Sequence, residues 1–167
     1  MLKPQKQFGA AIVGLGNVLL TDDGVGVHAV RQLQEDPPQG IILAEVGTAL
    51  LDALDLFESV DVVVAIDAVQ AGGAPGSIHC FDLADADRRQ DLSLHDFGIA
   101  AAVQSLPAEA RPAVTILGVE PAVLDYGMQL SPAVQAALPH VVRRARTLIT
   151  QRIEKASQQR ECNCEKV

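Results

Sequence analysis

Four side chains stand where this sequence could carry out acid–base or metal chemistry. Asp22 and Asp23 lie in "GLGNVLLTDDGVGV", Asp67 closes "VVVAID", and His95 sits in "DLSLHDFGIA". Asp22 and Asp23 follow Thr21, a side chain suited to cap a helix N-terminus. Acids in a first helical turn gain ~0.3–1 kcal/mol from the helix dipole. One Asp is enough for that, and two adjacent acids repel each other, so the pair suggests a second purpose. Asp67 emerges from a buried strand, where it could cap the next turn or reach into a crevice. His95 also fits an ordinary helix start, with Ser93 or Asp91 as the cap. Taken together, Asp23, Asp67 and His95 offer two carboxylates and an imidazole. That set suits a borderline divalent ion such as nickel or zinc. The three are far apart in sequence, so only the fold can unite them.

Other chemistries lack their machinery. Gly14 and Gly16 could open a dinucleotide fingerprint, but Leu19 holds the place of the third glycine. Two carboxylates where a pyrophosphate would lie repel it, and a tight turn needing positive φ is the plainer use of these glycines. No H-E-x-x-H, no G-x-S-x-G elbow and no cysteine at a strand–helix turn is present. The three cysteines are Cys80, Cys162 and Cys164. That odd, small number fits a reducing cytosol better than a disulfide framework. Cys162 and Cys164 form a C-x-C in a polar tail, and two ligands alone do not close a metal site.

The formal net charge of -8 disfavours nucleic acid as a partner. Arg143, Arg144, Arg146 and Arg152 cluster late in the chain, where cations near a helix C-terminus complement its dipole. No apolar run approaches the ~20 residues that a membrane-spanning helix needs. The N-terminus lacks a secretory cleavage site. A cytoplasmic protein with no membrane partner is expected, with a monomer as the default.

The elements that must position these residues alternate. A chain of 167 residues, 49% of them apolar, fits one domain with one core. Strands are expected at Phe8–Leu15, Ile41–Val46, Val60–Ile66, Ser77–Phe81 and Ala113–Val119. The run "VDVVVAI" is β-branched and continuous, as in a central strand covered on both faces. Helices are expected at Asp23–Gln34, Thr48–Phe57 and Leu94–Leu106. A long helix should open at Ser131-Pro132, with Ser as N-cap and Pro at the first position. Pro139 should kink that helix or delay its start. Ala71–Gly76 reads as a loop, and Asp82–Ser93 as irregular or weakly helical. The domain is taken as residues 1–156, with 157–167 a frayed polar tail. Alternating strands and helices imply a three-layer α/β sandwich with a mostly parallel sheet. In such folds sites form outside the carboxyl ends of the strands, and Asp23, Asp67 and the Gly47-Thr48 turn fall there.

Six segments in order resemble the hydrogenase maturation endopeptidases that process the large subunit of [NiFe] hydrogenases. They are "GLGNVLLTDDGVGV", "EVGTALLD", "VVVAIDAV", "GAPGSIHCF", "LSLHDFGIA" and "VTILGVEP". The resemblance covers about Ala10 to Ile149. It implies a five-stranded, mostly parallel sheet with strand four antiparallel. It also implies a nickel-contact site made of Asp23, Asp67 and His95. The Glu45-Val46-Gly47-Thr48 stretch departs from the family's more usual Asp-Gly-Gly-Thr. The implied partner is the precursor of the large subunit, which brings nickel on its own cysteine thiolates and loses a C-terminal extension. The isolated protein can then be metal-free. The bond could be cut by a nickel-polarised carbonyl, by an activated water, or with a carboxylate as direct base. A chaperone that binds the precursor without cutting it, and a nucleotide-binding enzyme on a similar sheet, are the alternatives.

Overall fold

In the computed structural model the described residues are 9–88 and 98–164. Five strands form one sheet: β1 (Ala10–Leu15), β2 (Ile42–Gly47), β3 (Val62–Ala68), β4 (Ile78–Asp82) and β5 (Ala113–Val119). Their order is β2-β1-β3-β5-β4. All neighbours pair in parallel except β4 with β5, which are antiparallel. The sheet is the one expected, including the reversed fourth strand.

β3 lies at the centre, and all seven of its residues are buried. The side-chain alternation of the strands divides the core in two. Ile12, Val62, Val64, Ile66, Leu117 and Val119 face α1 (Val25–Glu35) and α4 (Pro132–Cys164). Val13, Val63, Ala65, Val114 and Ile116 face α2 (Leu54–Ser59) and α3 (Gly98–Ser105). Helices on both faces explain why the strands read as unbroken apolar runs.

α1 lies directly on β1. A Cβ at Gly14 would stand 2.3 Å from the Gly26 carbonyl oxygen, and one at Gly26 would stand 2.1 Å from that of Ile66. Gly14 therefore serves close packing, not the positive φ expected of it. Gly16 does take positive φ, at 98°.

Three expectations need correction. Thr21 is no N-cap: it opens a 3-10 turn, Thr21–Gly24, and α1 starts only at Val25. Its hydroxyl is instead committed to the Val123 carbonyl oxygen, at 2.6 Å. The last helix does not fray after Ala156 but continues to Cys164. Ile153 and Ala156 still pack on the core, and the Ser-Gln-Gln-Arg-Glu that follows holds no Gly or Pro to stop a helix. The arginines consequently lie within α4, and none is in its last turn. They make lateral pairs: Arg146 with Asp36 at 3.2 Å and Arg152 with Asp82 at 2.7 Å. Pro139 is accommodated inside the helix and does not delay its start at Pro132. Ser131 caps that start, its Oγ accepting from the Val134 N–H at 3.5 Å.

Candidate active site at the carboxyl edge of the sheet

β1 and β3 are neighbours, paired from Ala10↔Val62 to Gly14↔Ile66. Their carboxyl ends lie side by side, and each leads to an acid. β1 runs into a turn that returns the chain to Asp23, and β3 carries Asp67 itself.

The β1 turn is tight. Gly16 donates to the Gly47 carbonyl oxygen at 3.1 Å, which links the turns after β1 and β2. A Cβ on Gly16 would fall 1.8 Å from the Asp23 carbonyl oxygen. The Asn17 N–H donates to Asp23 Oδ2 at 2.7 Å and fixes the orientation of that carboxylate. Gly47 takes φ 58°, whereas Val46 is not among the residues with positive φ. The Val found where the family more often has Gly is thus compatible with this turn.

Asp67 is buried, at 7% exposure. Its Oδ1 accepts from the Ala68 N–H at 2.9 Å. Its side chain belongs to the face of β3 that carries Val63 and Ala65, the face covered by α2 and α3.

Asp22 and Asp23 have different environments. Asp22 is fully buried. Its Oδ2 accepts from the N–H groups of Ala122 (2.8 Å) and Val123 (2.9 Å) and from the Ser131 hydroxyl (2.8 Å). Its Oδ1 accepts from the Ser131 N–H at 2.7 Å. Burial alone would raise its pKa, but these hydrogen bonds outweigh burial and hold the carboxyl below its usual range. Asp22 is therefore a structural anion that ties the β1 turn to the β5–α4 loop. Thr21 reinforces the tie by donating its N–H to Gly127 at 2.7 Å. Thr21 has φ 45°, an unusual value for a β-branched residue. Such strain persists only where the surroundings over-determine it.

His95 lies outside the described residues, so it is not placed relative to the two acids. Among the described residues no group of three His, Cys, Asp or Glu side chains could hold a metal. Asp23 and Asp67 alone supply the carboxylates of the expected donor set.

Two further polar groups at this edge were not singled out in the sequence. Glu120 follows β5 and is buried. Its Oε2 accepts from the Ala71 N–H at 2.9 Å and lies 3.3 Å from His79 Nε2. The two ring and carboxylate atoms are within ion-pair range without hydrogen-bond alignment. The signal for Glu120 was present: "VTILGVE" ends in an acid as "VVVAID" does. No sequence signal points to Ser131 as a partner of Asp22, 109 residues away.

The cavities differ in kind. One of about 290 Å³ adjoins the turns after β1 and β2, lined by Asn17, Arg31, Glu45 and Thr48 among others. The larger, about 510 Å³, lies at the opposite edge, against Val62, Ala113, Asp82 and Arg152.

A family model described as hydrogenase maturation protease matches residues 27–147. The hydrogenase expression/formation protein HupD of Rhodobacter capsulatus is 30% identical over 151 residues, covering 86% of this chain and 70% of the relative. The hydrogenase 2 maturation protease of Escherichia coli (strain K12) is 29% identical over 134 residues, covering 76% and 82%. Among solved structures, the hydrogenase maturating endopeptidase HybD from E. coli superposes with a TM-score of 0.72 at 26% identity, over 82% of this chain and 89% of that one. The [NiFe] hydrogenase maturation protease HybD from Thermococcus kodakarensis gives 0.73 at 28% identity, over 85% and 99%.

Proposed function

The chain belongs to the hydrogenase maturation protease family, and on that premise we propose that it removes the C-terminal extension from the nickel-loaded precursor of a [NiFe]-hydrogenase large subunit. The observation that carries this reading is the placement of Asp23 and Asp67 at the adjoining carboxyl ends of β1 and β3. The nickel belongs to the substrate. Bound to the precursor's own thiolates, it would supply Lewis acidity near the scissile carbonyl.

The chain's own residues have three tasks. Asp23, oriented by the Asn17 N–H, and Asp67, oriented by the Ala68 N–H, present carboxylate oxygens to the incoming metal. A carboxylate so placed also accepts the proton of the attacking water. His95 is the third donor. It stands three positions before Gly98, and three residues span at most about 10 Å. Gly98 packs against Leu50, which lies three positions beyond the end of β2. α3 therefore begins near the turn that follows β2. Two Asp and one His form an open site suited to completing a coordination sphere that the substrate has begun. The protein then tests for nickel before cutting, and is itself metal-free between turnovers.

No helix among the described residues is long and apolar enough to cross a membrane. We place the reaction in the cytoplasm, with the protease acting as a monomer. The test is mass spectrometry of the nickel-loaded precursor before and after addition of this protein, with nickel-free precursor and Asp67→Ala as controls. Loss of one C-terminal peptide, dependent on both nickel and Asp67, is the expected result. Equal cleavage of the two precursor forms would overturn the metal check. Stable binding without any mass change would favour a chaperone role.

A further inference from the structure

Seven large apolar side chains are exposed among the described residues, and five of them lie on two segments that are hydrogen-bonded to each other. Leu19 stands on the β1 turn. Val123, Leu124, Tyr126 and Met128 stand on the β5–α4 loop. The two segments are joined by backbone bonds: Gly127 donates to the Leu19 carbonyl oxygen at 3.0 Å, Thr21 to that of Gly127, and Asp22 to that of Val123 at 3.2 Å. Leu130 anchors the loop's end in the core. This loop is tied to the β1 turn by these bonds, yet it presents Tyr126 at 89% and Met128 at 67% exposure. Tyr126 is the sole tyrosine of the chain, which has no tryptophan.

From this fixed, exposed apolar ledge beside Asp23 we infer a docking surface for an apolar, non-acidic stretch of the precursor protein, flanking the bond to be cut. The inference rests on the proposed protease reading and deepens it by naming where the substrate is held. Three observations select this occupant. The ledge is continuous with the candidate site, because the turn that carries Leu19 also carries Asp23. The cavity adjoining the β1 turn is small, about 290 Å³, so a protein chain would lie across the exposed ledge beside it rather than enter it. Residues 16–24 and 120–131 contain Asp22, Asp23, Glu120 and Asp125 and no Lys, Arg or His, so an acidic segment would be repelled. Tyr and Met are also side chains that favour protein interfaces, Tyr for rigid area and Met for adaptable fit.

The test uses the full chain and its nickel-loaded large-subunit precursor. The single tyrosine, replaced biosynthetically by 3-fluorotyrosine, gives one ¹⁹F resonance. Adding precursor to Asp67→Ala protein, to prevent turnover, should shift or broaden that resonance saturably. In the cutting reaction, the double variant Tyr126→Ser/Met128→Ser should raise KM at least tenfold and leave kcat within about twofold. Both side chains are exposed, so the variant's thermal midpoint should match that of the wild type. Normal cleavage with an unchanged KM, or precursor binding that leaves the ¹⁹F signal unmoved, would overturn the ledge but not the protease reading. Precursor binding that the double variant weakens tenfold, without any cleavage by the wild type, would overturn the protease reading and keep the ledge. A concentration-dependent dimer that the double variant dissolves, with KM unchanged, would assign the ledge to a second copy and overturn the inference. No binding and no cleavage would sink both.

Discussion

Asp22 and Ser131 are bonded twice: the carboxylate takes the Ser131 N–H at 2.7 Å on one oxygen and the Ser131 hydroxyl at 2.8 Å on the other. This contact joins the turn before α1 to the start of α4 and closes the ledge between them. It also separates the roles of the two adjacent acids. Asp22 is spent inward on structure, which leaves Asp23 to the candidate site.

Asp22→Asn should therefore destabilise the fold. It removes a buried charge whose four donors are in place and substitutes an amide group that cannot accept from all of them. An unmet buried donor costs about 1–3 kcal/mol, so a loss of about 2–3 kcal/mol is expected for this variant. Urea unfolding of the two proteins measures it. A loss under about 0.5 kcal/mol, within the range of an ordinary surface substitution, would contradict the clamp.

Acid stability should fall in two stages. Burial, with the Arg31 charge adding to it, lowers the His28 pKa below its ordinary 6.5. The unfolded chain then binds the extra proton first, so stability begins to fall as pH drops below about 6.5. Asp22 is raised by burial but lowered further by its hydrogen bonds, for a net position below 3.8. Its contribution is complete above that value and is lost as pH falls from it through the folded pKa. Urea midpoints between pH 8 and pH 3 should show both declines. His28→Gln should remove the first and Asp22→Asn the second. If neither variant flattens the curve, these groups do not govern acid stability.

The parts of the fold that follow from local pattern were legible in the sequence. The β-branched run of β3, the Ser131-Pro132 helix start and the acid at the end of β3 all depend on residues a few positions apart. What was not legible depends on distant partners. Asp22 meets Ala122, Val123 and Ser131, about 100 residues on, and nothing local separates it from Asp23. Thr21 looked like a cap because its type suits one, yet its hydroxyl is used across the β5–α4 loop. The arginines of α4 looked like dipole partners because the helix was taken to end early. His95 was chosen because its segment resembles the family's histidine segment, and its place beside Asp23 and Asp67 is part of the proposal.

Asp67→Asn should separate catalysis from folding. The amide group keeps nearly the same volume and its oxygen can still accept the Ala68 N–H, so the thermal midpoint should move by only a few degrees. The charge that would meet the metal or take a proton is gone. Precursor cleavage should fall at least about a hundredfold, the low end of what a positioned acid–base group contributes. Asp23→Asn should behave alike, with the Asn17 N–H retained by the amide oxygen. Wild-type cleavage rates in both variants would remove the two acids from the reaction and the central support from the proposed function.

The packing of α1 on the sheet sets the last expectation. Gly26 has no room for a methyl group: its Cβ would lie 2.1 Å from the Ile66 carbonyl oxygen, 2.6 Å from that of Leu15 and 2.7 Å from the Leu15 nitrogen. All three neighbours are backbone atoms of the two central strands, so no side chain can swing away to relieve the clash. The helix must lift from β1 and β3, which moves Asp23 relative to Asp67 as well as opening the core. Overpacking typically costs 1–3 kcal/mol where side chains can adjust, so Gly26→Ala, facing backbone, should exceed about 3 kcal/mol. Gly40→Ala has open space but φ 74°, so it should cost only the ~1 kcal/mol of a left-handed alanine. Urea unfolding of both variants compares the two. A Gly26→Ala protein as stable as Gly40→Ala would mean that α1 does not rest on the strands at this distance.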